Sequence, residues 1–479
     1  MKSIKALFVL ALALGFAVPA FAETQNVKVS GSIDSYAFYR NDYDLLDNND
    51  ASVLAPTTTV AVPGQTHTGT AAQRSDSDNY FRTNTQVEVS ADLTDNVSTV
   101  INLVNQRDWN ADAIDAAGTS TTTSAANNQF DIELDLAYVQ MKEIFYTPLT
   151  LTIGRQDLWF GRGFVIGNNN TAWDQQAITQ ADEYSVTTAF DAIRATLDFN
   201  PWTLDFVYSK VDENSPNPED DIDLYIVNVN YKFAEYNAVA EGYYVGNYDR
   251  SFLASAAGTF ENNTDTFGGR VQFDPISQIT LGAELAYQGG KFQAATTLPE
   301  RDREAWAADV FGTYRWDNAW KPEVTVEYVL MSGDEADAAT ASSSSWSGWN
   351  SLYRGRFWTA YADFREFTYA TADAVDQSAT FNQQFIQVKG ALKPMEDLLL
   401  ESSFTYLWND EDVHTTPGVT SSSVRNNEIG YEIDLQATYD YTEDVSFGLL
   451  AGWFIPGDFY ISPLDATATD LVGSVKVTF

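Results

Sequence analysis

Residues Asn427 to Tyr439 read NEIGYEIDLQATY. One alternate set is Ile429, Tyr431, Ile433, Leu435, Ala437 and Tyr439; the other is Glu428, Gly430, Glu432, Asp434, Gln436 and Thr438. A period of two is the signature of a β-strand with one apolar and one polar face. A single such segment fits a half-buried strand of a soluble protein equally well. The same alternation recurs along the chain, however, with no second layer of helical segments to cover the apolar faces. That combination points to a sheet whose apolar side meets lipid.

Working outward, strand-like segments fall at 27–39, 80–93, 97–108, 130–142, 149–156, 188–199, 202–210, 223–233 and 237–245. They continue at 265–273, 279–288, 306–316, 322–331, 381–392, 398–408, 427–439, 445–453 and 471–479. The total is about eighteen, and most are long enough to cross a bilayer as tilted strands of about 9–11 residues. The connections alternate between tiny and long. Asp92–Asn96, Asn200-Pro201, Ala234–Tyr236 and Lys393–Asp397 are tight links, whereas 40–79, 109–129, 157–187 and 332–380 are long and polar. Short turns at one end and long loops at the other predict an all-β, transmembrane, antiparallel up-and-down β-barrel with both termini periplasmic. The first and last strands can then pair and remove every sheet edge.

The chain of 479 residues has 67 acids against 27 Lys and Arg, a formal charge of −40, and no cysteine. That charge makes nucleic acid an implausible partner, and the lack of cysteine removes disulfides and thiolate metal sites. Lys2 and Lys5, the apolar run Ala6–Val18 and Ala20-Phe21-Ala22 predict a signal peptide over 1–22, leaving 23–479 as the barrel. Beyond it no run of about 18 apolar residues offers a spanning helix. The chain ends Val475-Lys476-Val477-Thr478-Phe479, an alternating strand with a terminal aromatic; it resembles the signal through which such barrels engage their assembly machinery.

A Lys or Arg on the lipid face at mid-bilayer costs about 2–4 kcal/mol, so charged alternates are expected in the lumen. Phe81, Thr83, Thr85, Val87, Val89, Ala91 and Leu93 should face lipid, as should Ile279, Leu281, Ala283, Leu285 and Tyr287. The same rule nominates Arg82, Arg107, Arg155, Arg194, Arg270 and Arg315 for the lumen, with Arg162 in the loop that follows Arg155. Such a ladder could guide anionic or hydroxyl-rich solutes, or each arginine could simply pair with a neighbouring acid. Inward acids gather late, at Glu284, Glu323, Glu327, Glu401, Glu428, Glu432 and Asp434. A basic wall of Arg82, Arg107, Arg155 and Arg194 opposite this acidic wall would set up a transverse field. Loop acids such as Asp42, Asp44, Asp47, Asp50, Asp212, Glu213, Glu219, Asp220 and Asp221 read as solvated charge or as carboxylates for divalent cations. The stretch 350–367, with Tyr353, Arg354, Arg356, Phe357, Trp358 and Tyr361, reads as a sugar-contacting or pore-folding loop, or equally as aromatics packed at the membrane interface.

Residues 149–199 hold Gly154-Arg155-Gln156, then Phe160-Gly161-Arg162-Gly163-Phe164-Val165-Ile166-Gly167, Trp173, and Phe190-Asp191-Ala192-Ile193-Arg194. This order resembles the alginate export family of outer-membrane barrels, as do Ser332-Gly333-Asp334, Asn350-Ser351-Leu352-Tyr353 and Phe454-Ile455-Pro456-Gly457. The resemblance implies a monomeric eighteen-strand barrel that passes an anionic polysaccharide through an arginine-lined constriction. It would carry Arg155, Arg194 and Asp191 over as pore residues. Gly161-Arg162-Gly163 departs from the family's Gly-Asp-Gly, and the acidity exceeds what a polyuronate exporter would be expected to carry.

Enzymatic readings fail for want of groups: the two histidines, His67 and His414, lie in long loops without a nucleophile pattern. The sequence therefore predicts a passive outer-membrane channel for polar or anionic solutes, a polysaccharide such as alginate among them. A general or sugar-selective porin is the alternative, and a closed structural or adhesin barrel a second. No cofactor is implied; the expected partners are outer-membrane lipid, the solute and the assembly machinery at Phe479.

Overall fold

The computed structural model describes residues 26–42, 45, 60–62, 65–67, 77–109, 132–169, 184–213, 221–250, 262–293, 300–334, 344–361, 382–411, 426–460 and 465–479. The signal segment 1–22, Trp173, His414, the end of the 350–367 stretch, and Asp44, Asp47, Asp50, Glu219 and Asp220 lie outside the described residues.

Eighteen antiparallel strands close into one barrel. In chain order they are β1 (Asn26–Asn41), β2 (Asp78–Thr94), β3 (Val97–Asp108), β4 (Glu133–Met141), β5 (Leu149–Gln156) and β6 (Phe190–Asp198). Next come β7 (Trp202–Asp212), β8 (Ile222–Lys232), β9 (Val239–Asp249), β10 (Asn262–Ile276), β11 (Ile279–Phe292) and β12 (Ala305–Arg315). The last are β13 (Glu323–Met331), β14 (Gln383–Met395), β15 (Leu398–Trp408), β16 (Glu428–Asp440), β17 (Val445–Pro456) and β18 (Ala468–Thr478). Each expected segment becomes one strand, its ends shifted by a few residues.

Closure falls where both termini meet. β1 pairs with β2 through Ile33 opposite Thr85, and with β18 from Ser32 opposite Thr478 to Asn41 opposite Thr469. The Phe479 amide donates to the Gly31 carbonyl at 3.0 Å and the Gly31 amide to the Phe479 carbonyl at 2.9 Å, so the last residue is stitched into the seam. No backbone edge is left along this join, as a hydrocarbon surround requires.

The pleat sorts the faces as energetics demands. On β11, Leu281, Leu285 and Tyr287 are exposed outward, while Glu284 and Gln288 are buried inward. On β2, Phe81 and Val89 are outward and Arg82 and Asn84 inward. Among the described residues no helix is long and apolar enough to cross a membrane.

Two departures from simple alternation matter. First, the lumen is not simply open: Leu158, Phe160, Phe164, Val165, Ile166, Trp349, Leu352, Tyr353, Trp358 and Tyr361 form a buried cluster inside the barrel. They pack on inward-facing Val207, Leu224, Ile226, Val245, Val329, Met331 and Phe385 of the wall. Burying one such Phe or Leu contributes about 1.5–3 kcal/mol, so the two loops that carry them are held inside. Second, β16 is bulged. Leu407 pairs with Gly430 but Trp408 with Glu428, and Gly430 has a φ of +139°. The extra residue inverts the facing above it. Ile429 therefore turns inward into the cluster, and Glu428 turns to the outer side, where Tyr406 hydrogen-bonds to it. Glu428 is thus not a lumen residue.

Candidate functional site

The site is made by two of the long loops, which both fold back into the barrel. The first leaves β5 after Gln156, and its descending arm presents backbone amides and one guanidinium to the wall. The Gly161 amide donates to Glu241 Oε1 at 3.0 Å and the Arg162 amide to Glu284 Oε2 at 3.1 Å. Arg162 Nη1 lies 2.8 Å from Asp309 Oδ2 and Nη2 lies 3.0 Å from Glu327 Oε1. Its guanidinium carbon sits 3.7 Å from the centre of the Phe311 ring. Burial pulls the Arg162 pKa down; Glu327 and Asp309 oppose that pull, and neighbouring Arg356 adds to it. A guanidinium remains charged through such a shift, so this is a buried ionic clamp.

The returning arm rests on the opposite wall. Asn84 Nδ2 donates to the Tyr184 carbonyl at 2.7 Å, and the Val186 amide donates to Gln106 Oε1 at 2.8 Å. The Tyr184 ring packs 4.8 Å from Tyr36 and 5.1 Å from Phe38. β2 and β3 stand half a turn round the ring from β12 and β13. One loop thus contacts both sides of the lumen.

The second loop, between β13 and β14, touches the wall from β9 to β16. The Asn350 amide donates to Gln288 Oε1 at 2.8 Å and Gln288 Nε2 to the Asn350 carbonyl at 2.7 Å. Tyr353 hydroxyl donates to Asn247 Oδ1 at 2.9 Å. Arg356 Nη2 lies 2.8 Å from Glu327 Oε1, and Trp358 Nε1 donates to the same oxygen at 3.1 Å. The Tyr361 amide reaches Glu432 Oε1 at 2.7 Å.

The loops are also joined to each other. Ile166 and Tyr353 form a parallel β-bridge. The Tyr353 amide donates to the Val165 carbonyl at 3.1 Å, and the Gly167 amide to the Tyr353 carbonyl at 2.7 Å. The Gly163 carbonyl accepts from the Gly355 amide at 2.9 Å and the Arg356 amide at 3.2 Å. The glycine-rich stretch 161–167 and the Asn350–Tyr353 stretch, far apart in sequence, thus form one crossbar.

The nominated residues divide clearly. Arg82, Arg194, Arg270 and Arg315 face inward, and each meets an acid on an adjacent strand. Arg82 pairs with Asp108 at 2.8 Å, Arg194 with Asp205 at 2.8 Å, Arg270 with Glu241 at 3.0 Å and Arg315 with Glu323 at 3.1 Å. Glu432 and Asp434 are buried inward, Asp434 Oδ2 accepting from Ser403 Oγ at 2.9 Å. Arg107 is opposite Thr83, on the register of outward Phe81 and Leu103, so it belongs to the outer rim. Arg155 is opposite Asp191, on the register of outward Ile153 and Ile193, and the two pair at 3.4 Å with Asp191 66% exposed. Arg107, Arg155 and Asp191 are therefore not lumen residues; near strand ends, the lipid-phase penalty that keeps charge inside has faded. The transverse field falls with them. Of its four arginines two are neutralised by adjacent-strand acids in the lumen, and two face outward.

Asp309, Asp205, Asp108 and Glu241 complete the inner ion pairs and stand outside the residues that the sequence nominates, although inward parity marks Asp309 on β12. Arg356 was visible only as part of an aromatic, arginine-bearing loop.

Residues 65–474 match the family described as Alginate export. The chain belongs to the alginate export family. Among solved structures, Pseudomonas aeruginosa OpdQ aligns over 95% of this chain and 98% of its own, with TM-score 0.53 and 10% identity. Acinetobacter baumannii OccAB2 gives the same coverage, TM-score and identity. A BenF-like porin from Pseudomonas fluorescens Pf-5 aligns over 95% of this chain and all of its own, with TM-score 0.52 and 11% identity. These likenesses support the fold. The comparison with curated proteins finds no match. Family and fold together make this a bacterial outer-membrane protein and a passive outer-membrane channel.

Proposed function

We propose that the channel passes small polar solutes down their gradients, and that the crossbar of two inserted loops sets the size it admits. The carrying observation is the backbone junction between Gly163 and Gly355 inside the lumen, with Arg162 and Arg356 both tied to Asp309 and Glu327. A crossbar held at both walls narrows the passage while leaving polar wall between the ion pairs. A closed ring needs no second chain, and Phe479, stitched to Gly31, serves as the assembly signal.

Export of an anionic polysaccharide is the second reading, favoured by the family match. It has less support from the wall, where Arg82, Arg194 and Arg270 are each already matched by a carboxylate. Liposome swelling separates the two. A steep fall in rate from pentose to disaccharide to oligosaccharide is expected of the small-solute channel. Entry of uronate oligomers as fast as a pentose would contradict it.

A further inference from the structure

Resting on the channel reading above, we propose that the pore is cation-selective, passing potassium or a polyamine in preference to chloride or a uronate. A basic constriction needs guanidiniums whose charge is unmatched, and this one is built the other way. Beside the crossbar, Arg162 and Arg356 both meet Asp309 and Glu327, and Arg270 meets Glu241, with Glu284 alongside, so each of these guanidiniums faces a carboxylate. Lys389 shares this neighbourhood, with Arg356, Glu327, Glu401 and Asp434 around it, and Arg354 lies over the Phe357 and Trp358 rings at 4.9 and 5.1 Å.

The opposite wall adds no positive surplus. Arg82 and Arg194 are matched there by Asp108 and Asp205, and Arg40 lies 3.3 Å from Asp470. Asp135, 4% exposed, takes hydrogen bonds from neutral groups, Asn102 Nδ2 at 3.2 Å and the Thr188 amide.

The extracellular ends strengthen the sign. Lys210 meets Glu213, Asp221 and Asp223 together, and Lys291 meets both Glu300 and Asp302. The chain carries 67 acids against 27 Lys and Arg, and mid-bilayer lipid excludes charge from the outer face. Charge of one sign around a narrow, low-dielectric passage focuses the field and concentrates counter-ions. Its reach is about 8 Å at physiological salt and longer in dilute solution, so the preference grows as salt is lowered.

The test is the reversal potential of the purified full-length chain in planar bilayers under a tenfold KCl gradient. A severalfold preference for potassium, rising when both solutions are diluted, is expected, with Asp135→Asn moving it toward chloride. On the unaltered chain, spermine should slow the current and trigalacturonate should leave it unchanged. A conducting channel that prefers chloride, or is blocked by trigalacturonate and not by spermine, overturns the inference and leaves the channel standing. Membranes that stay silent overturn the channel reading itself, and this inference with it.

Discussion

Gly167 and Gly355, from two different loops, touch backbone to backbone inside the barrel: a Cβ built on Gly355 would lie 2.6 Å from the Gly167 carbonyl carbon and Cα. The partner atoms are main chain and cannot swing aside as a side chain would. The crossbar depends on both positions lacking a side chain.

Gly355→Ala should therefore prise the loops apart. Overpacking of this kind costs about 1–3 kcal/mol, charged to the loop junction and not to the strand ladders. Single-channel conductance should rise and become noisier while the β-sheet circular dichroism spectrum is unchanged. Unaltered conductance would mean the junction does not limit flow.

Leu285, 58% exposed on the outer face of β11, tests which side meets lipid. Leu285→Arg should lower stability by about 2–4 kcal/mol in vesicle-embedded unfolding. Ser90→Arg, on the inward register of β2 with Arg82 and Glu88, should stay within about 0.5 kcal/mol. Reversed magnitudes would invert the assigned faces.

At the seam, a Cβ on Gly31 would lie 2.4 Å from the Gln86 carbonyl oxygen and 2.7 Å from the Phe479 ring. Gly31→Val should reduce the heat-modifiable, folded fraction on cold gel electrophoresis. Removal of Phe479 should do the same through loss of its two backbone hydrogen bonds to Gly31. Full folding of both variants would leave the seam without a role in assembly.

Much of the barrel was legible because lipid enforces a strict rule: along β2 and β11 a charge on the wrong face is expensive, so side-chain type reports direction. The rule fails where lipid ends. Arg155 and Asp191 sit at strand tips where either face meets water, and Glu428 lies beyond a bulge that no alternation announces. The inserted loops left a subtler trace. Val324–Met331, VTVEYVLM, is apolar on both faces toward its end, a pattern of burial on both sides. Val329 and Met331 there lie against the crossbar cluster. Which distant loop covers them depends on contacts such as Arg162 with Asp309 that have no local spacing to betray them.

The outward placement of Arg155 carries its own consequence. Its Asp191 partner is largely solvent-exposed, and exposed pairs are worth about 0–1 kcal/mol. Arg155→Ala should leave both conductance and ion preference as they were. A changed reversal potential would return Arg155 to the pore.

The central claim is that Arg162 and Arg356, tied to Asp309 and Glu327, hold a crossbar that narrows an otherwise conducting barrel. Removing one partner of a buried pair costs about 3–5 kcal/mol, enough to detach the loops locally within an intact strand ring. The direct test is single-channel conductance of Arg162→Ala/Arg356→Ala beside the unaltered chain in the same bilayer and salt. The account predicts a small, steady conductance for the unaltered chain and a severalfold larger one for the double variant. Equal conductance in a folded double variant, or silence in both, would contradict it.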